Sequence, residues 1–173
     1  VLDDPKNLPS FKLAASCLIA ETYRGMGSFE KAEQMYELSI NISDSVPPGQ
    51  RSNNEWYQHY RPRASMGLLT VLRRNLANEH SQFNRLLLET RNQFSNIAGT
   101  DFMAQLNLIE GLYLRQMGDI DASIQRLKEG IEDLQGNDPP YSFLWPEHFE
   151  AFLVLSYLST PKYIILAGDR KSV

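Results

Sequence analysis

Two stretches decide how this sequence folds. One runs Ala20-Glu-Thr-Tyr23-Arg-Gly-Met-Gly27-Ser-Phe-Glu-Lys-Ala32-Glu-Gln-Met-Tyr36-Glu-Leu-Ser39. The other runs Gly111-Leu-Tyr-Leu114-Arg-Gln-Met-Gly118-Asp-Ile-Asp-Ala-Ser123-Ile-Gln-Arg-Leu127-Lys-Glu-Gly130. Small, large, glycine, small, large and small residues stand at the same offsets in both. Apolar residues recur at helical spacing on either side of the central glycine, which predicts two helices joined by a tight turn. Small residues suit the points where such helices cross closely. The turn glycine permits a backbone conformation closed to residues that carry a Cβ.

Working outward, Ser10 is a candidate N-cap for a helix from Phe11. Leu13, Cys17, Ala20 and Tyr23 form its inner face, widened by Leu18 and Ile19. Gly25 and Gly27 end it. Ser28 opens the next helix, whose buried stripe is Ala32, Met35, Tyr36, Ser39 and Ile40. Residues 43–60 contain Pro47-Pro48-Gly49 and read as a long insertion. Further helices are expected over 63–76, 79–97, 102–117, 121–134 and 146–158. Phe83, Leu86, Leu87, Thr90 and Phe94 share one face of the second of these. A short apolar segment follows Pro161. No run alternates with period two. The expected fold class is all-α, with about seven helices and antiparallel neighbours.

Composition narrows the function. The chain has 173 residues, 42% apolar and 22% charged, as in a soluble domain or a continuous stack of repeats. No apolar run approaches the roughly 20 residues a membrane-spanning helix needs. Val1 opens no signal-peptide pattern, so the chain reads as an excised or processed segment. The lone Cys17 excludes an internal disulfide and a cysteine zinc site. It fits a reducing compartment, hence an intracellular setting, cytoplasmic or nuclear. The net charge of −4 hides an asymmetry: residues 51–91 carry about +4, their flanks −3 and −5. This arginine-rich middle either complements the flanks within the fold or faces an acidic partner. A sequence pI near 5.4 speaks against a nucleic-acid module.

Helix pairs with a turn glycine and small residues at fixed offsets resemble tetratricopeptide repeats, whose period is 34 residues. The first copy, about 11–44, matches at Ala20, Tyr23, Gly27, Ala32, Tyr36 and Ser39. The later copy, about 99–134, matches at Gly111, Leu114, Gly118, Ser123, Leu127 and Gly130. The chain also departs from the pattern. Ser16 and Asn107 stand where the family has tryptophan, Glu110 where a large apolar residue is expected, and Asp44 at the closing proline. A pair over 61–97 has Gly67 but Arg74 at the turn glycine, and the two good copies lie 91 residues apart. The resemblance implies one domain over 1–173, a right-handed superhelical stack of the pairs 11–44, 61–97 and 99–134 with a partial repeat at 146–168. It implies a piece of a longer array, or one closed by a partner or a second copy through the unpaired terminal helix.

What the resemblance implies about function is a protein–protein interaction scaffold that uses no cofactor. The groove of such a stack would be lined by Cys17, Glu21 and Arg24 in the first copy, and by Gln105, Leu108, Leu112 and Arg115 in the later one. Glu21 and Leu112 replace the asparagines with which the chaperone-binding subgroup holds a terminal carboxylate, so an internal peptide segment is the better expectation. In the insertion, Trp56, Tyr57, Tyr60, Arg61 and Arg63 are residue types that dominate binding hot spots. They would anchor the insertion, touch a protein partner or, least in keeping with the charge, stack on nucleic acid. His59, His80 and His148 are far apart, and no phosphate loop, nucleophile turn or metal spacing is present, which argues against an enzyme. Two further readings are a peptide-responsive regulator, using Arg24, Gln105 and Arg115, and a subunit of a chromatin or cell-cycle complex.

Overall fold

The computed structural model describes residues 8–95, 100–135 and 146–158. Among these, every regular element is a helix. The elements are α1 (Pro9–Gly25), α2 (Phe29–Asp44), α3 (Pro48–Arg51), α4 (Glu55–Leu72), a 3-10 turn (Arg73–Asn75), α5 (Leu76–Phe94), α6 (Thr100–Gln116), α7 (Ile120–Gln135) and α8 (Pro146–Leu158). The chain forms two compact units, 1–98 and 99–173. The lead-in before Leu8, the proline-containing break at 136–145 and the segment after Leu158 lie outside the described residues.

The two hairpins, α1/α2 and α6/α7, turn in the same way. Gly27 donates to the Arg24 carbonyl at 3.0 Å and Ser28 to that of Tyr23 at 2.9 Å; Gly118 donates to Arg115 at 3.1 Å and Asp119 to Leu114 at 3.0 Å. These paired bonds satisfy the last carbonyls of the first helix and require one residue in the left-handed region. Gly27 (φ 75°) and Gly118 (φ 85°) supply it. The bounds of α1 and α2 map onto those of α6 and α7 by a shift of 91, and the start of α4 maps onto that of α8. The repeated structural unit is therefore helix, helix, connection, helix.

Close crossing explains the small residues. The Ser39 hydroxyl donates to the Leu13 carbonyl at 3.0 Å. At the equivalent place a Cβ on Gly130 would stand 2.8 Å from the Ala104 carbonyl oxygen. At the other end of the crossing the Ser123 hydroxyl donates to the Gly111 carbonyl at 2.8 Å, where the first hairpin has Ala32. A third helix lies across each hairpin: α4 packs on α1 and α2, α8 on α6 and α7. In unit 1, α5 then packs on α4, burying Phe83, Leu86, Leu87 and Thr90.

The third helix is fitted differently in the two units. A Cβ on Gly67 would collide with the Tyr36 ring, so a large residue on α2 is accommodated by a missing one on α4. The corresponding residues of unit 2 are Leu127 and Leu158, both in its core. One contact is filled by a single large ring in unit 1 and by two leucines in unit 2.

Three expectations are corrected. The insertion at 43–60 is mostly helical: α3 and the first turns of α4 occupy it, and α4 begins at Glu55 rather than Arg63. Asn54 caps it by accepting from the Trp56 amide at 3.0 Å, and Pro62 is carried inside it. The first helix begins at Pro9, a residue suited to the opening turn, so Ser10 is inside it and not its cap. Leu18 and Ile19 face outward rather than widening the buried face.

The complementary fit at Tyr36 and Gly67 predicts a coupled pair. Tyr36→Leu should cost about 2–4 kcal/mol through the void it leaves. Gly67→Leu should cost about 1–3 kcal/mol by overpacking. The double variant should recover most of the combined loss, as a double-mutant cycle in chemical denaturation would show. Strict additivity would refute the fit.

Candidate functional site

Cys17 and Glu21, predicted to line a groove on α1, come together with Tyr60 and Arg63 of α4 on one face of unit 1. Glu21, one turn before the end of α1, receives both forks of the Arg63 guanidinium: Nε bonds Oε1, and the second fork reaches Oε2 at 2.7 Å. The two side chains are only 13% and 17% exposed. Burial works against the Arg63 charge, but the bond to Glu21 and the Glu21 charge outweigh it and hold the guanidinium pKa above its usual value.

Cys17 lies one turn earlier on α1, fully buried. Burial and the Glu21 carboxylate push its thiol pKa up to about 12, with Arg63 and Arg24 opposing. It stays protonated at neutral pH and is no nucleophile. On α4, His59 is held below its usual pKa by burial and by Arg63, with Glu21 opposing, so the neutral ring is favoured. Tyr60 links His59 to Trp56. It meets His59 edge-on at 5.0 Å between ring centres and stacks on Trp56 at 5.7 Å. Trp56 remains 48% exposed at the outer end of this row. An exposed tryptophan backed by a stacked tyrosine is a rigid apolar platform with little rotamer entropy left to lose.

The other sequence-predicted residues have different surroundings. Arg61 is buried; it grips Asp44 through Nε at 3.3 Å and its second fork at 3.2 Å, and also bonds the Ser65 hydroxyl. Arg51 meets the same Asp44 at 3.1 Å. Tyr57 is buried with Leu13 and Val46 in a small cluster. Tyr57 and Arg61 thus anchor the start of α4, and the sequence pattern held no signal for Asp44 as the shared partner of Arg51 and Arg61 beyond its place at the end of a helix. Leu108 and Leu112 were expected to face a groove. Both are buried in the core of unit 2 with Leu127, Ile131 and Val154; Leu108 lies against Gly130 of α7, where an added Cβ would stand 2.7 Å from its Cδ2. Gln105 is half-buried and Arg115 exposed on α6, in the other unit from the α1–α4 face.

The two units differ at one decisive position. The 91-residue shift takes Glu21 to Leu112 and Arg63 to Val154. Leu112 and Val154 share one apolar core cluster, whereas Glu21 and Arg63 form a buried ion pair. The same helix-on-hairpin contact is closed by hydrocarbon in one unit and by charge in the other.

Among the described residues, no group of three or more His, Cys, Asp or Glu side chains could hold a metal ion, and no helix is long and apolar enough to cross a membrane. Comparison with family models, curated proteins and solved structures finds no match.

Removing one member of the Glu21–Arg63 pair leaves a buried charge uncompensated. Glu21→Leu alone, or Arg63→Val alone, should cost about 3–5 kcal/mol. The double variant, which copies the contact of unit 2, should be within about 1 kcal/mol of the parent or more stable. Thermal unfolding of the three variants checks this; a double variant as unstable as the singles would show that the charges are required by the packing.

Proposed function

We propose that the chain is a protein–protein interaction scaffold of tetratricopeptide-like type that receives a peptide segment across the α1–α4 face. The observation that carries this reading is the polar and aromatic lining of that face, at a contact that unit 2 closes with Leu112 and Val154. Packing alone does not call for charge there. Trp56, stacked on Tyr60, offers an anchor for an apolar peptide side chain. The intracellular setting, cytoplasmic or nuclear, belongs to the same reading and rests on the lone buried Cys17.

Peptides selected from a random display library against the whole chain should test it. They should bind the Trp56→Ala variant at least about tenfold more weakly, the loss of roughly 1.4 kcal/mol that marks a hot spot. A library that yields no competing binder, or binders indifferent to Trp56→Ala, would defeat the reading.

A second contact surface is favoured by α8. It buries Ala151, Val154 and Leu158 but leaves Phe152, Leu153 and Tyr157 exposed, Leu153 by 72%. The corresponding residues of α4 are Arg61, Pro62 and Met66, all buried. The outer face of α8 is proposed to pair two copies of the chain. Sedimentation equilibrium should then show concentration-dependent association that Leu153→Glu abolishes. A parent protein that stays monomeric at all concentrations tested would rule this out.

A further inference from the structure

The outer side of α1 carries an apolar stripe that stays exposed. Leu8, Phe11, Leu18, Ile19 and Met26 follow one another at helical spacing, from the residue before α1 to the residue after it. All five are exposed, the two end residues by 70% and 72%. Ala15 and Thr22 fall between them on the same side, so no charge interrupts the stripe. Single exposed apolar residues are ordinary, but a contiguous run of them marks a contact surface. The 91-residue shift takes Ala15, Leu18 and Thr22 to Leu106, Ile109 and Tyr113 of α6, which are all buried. The side of the first helix that is covered in the second hairpin is therefore bare in the first.

The chain itself offers an occupant. α8 leaves Phe152, Leu153 and Tyr157 exposed opposite its buried side. With 13 residues it is about 20 Å long, and α1 with 17 is about 25 Å long, so α8 fits along the stripe. Charge agrees with shape. α8 carries Glu147 and Glu150 and no lysine or arginine. The one carboxylate of α1, Glu21, is held by Arg63. Lys12 borders the stripe beside Phe11, and Lys31 lies over the ring of Tyr23, one turn on from Ile19. Two copies of α8 would bring only acidic side chains to a shared contact and would leave the α1 stripe bare. α8 against α1 brings acid to base and covers both faces with one contact.

We propose that the exposed side of α8 in one copy of the chain seats on the α1 stripe of another, a head-to-tail contact. This rests on the reading of α8 as a contact between copies and adds the face it meets. Sedimentation equilibrium of the whole chain tests it, with circular dichroism to check folding. The parent should associate as its concentration rises. Leu18→Glu and Leu153→Glu should each associate at least about tenfold more weakly when alone. Mixed in equal amounts they should form dimers and nothing larger, because one variant keeps its α8 face and the other its α1 stripe. Met26→Glu or Tyr157→Glu takes the place of a variant that does not fold. If Leu18→Glu associates as the parent does while Leu153→Glu stays monomeric, α8 pairs with itself. That outcome overturns the head-to-tail contact and leaves the α8 reading standing. A mixture that stays monomeric overturns it as well. A parent protein that is monomeric at every concentration removes both.

Discussion

Everything in this protein depends on how closely two helices can cross. Where α2 passes α1, the Ser39 hydroxyl lies in bonding distance of the Leu13 carbonyl. Where α7 passes α6, Gly130 leaves no room for a Cβ beside the Ala104 carbonyl. A larger residue at either place would push the hairpin apart and lift the third helix off its seat. The serines do more than fit: each satisfies its own buried hydroxyl on a backbone acceptor, so small size is obtained without an unpaired polar group. The glycine turns set the return angle, and the crossings set the distance. With both fixed, α4 and α8 are offered similar shallow platforms.

The hairpins were legible in the sequence because these constraints are local. Their residues fall within one turn of each other or across one short connection, and α6, α7 and α8 have nearly the bounds that periodicity predicts. The start of α4 was illegible because its determinants are tertiary. Pro47-Pro48-Gly49 and Pro62 argue for irregular chain. Yet helix extends through Pro62 because Arg61 is held on Asp44 and Tyr57 is buried beside Leu13. Proline removes the donor for the Gln58 carbonyl, but Gln58 is exposed, so solvent can serve that oxygen and the usual penalty is softened. Leu108 and Leu112 were misread for a related reason. The face a helical residue presents is decided by which later helices land on it: Leu108 meets Gly130 of α7, and Leu112 shares its core cluster with Val154 of α8.

The arginine-rich middle of the chain finds much of its balance inside unit 1. Arg51 and Arg61 converge on Asp44, Arg63 on Glu21, and both acids come from the acidic first fifty residues. Arg74 lies over the Phe29 ring at 4.6 Å. The charge asymmetry read along the sequence is thus largely a record of α4 docking on the first hairpin. Its value for stability is uneven. Arg61 and Arg63 are removed from water and need their partners, whereas the exposed Arg85–Glu89 pair on α5 contributes little.

Comparison of the two units isolates what packing demands from what it merely permits. Tyr36 with Gly67, and Leu127 with Leu158, fill the corresponding contact with apolar atoms in two ways. Glu21 with Arg63, against Leu112 with Val154, is a different kind of change. An apolar pair closes the contact in unit 2, and well-packed hydrophobic replacements of buried ion pairs are commonly neutral or stabilising. The charged version therefore has no evident advantage as cement. It does fix direction: a bidentate guanidinium–carboxylate pair holds α4 in one rotational setting on α1. That setting keeps Tyr60 against the core cluster and Trp56 outermost on the same helix. The ion pair is best understood as the device that aims the aromatic row, and its energetic cost is borne by the apolar crossings beneath it.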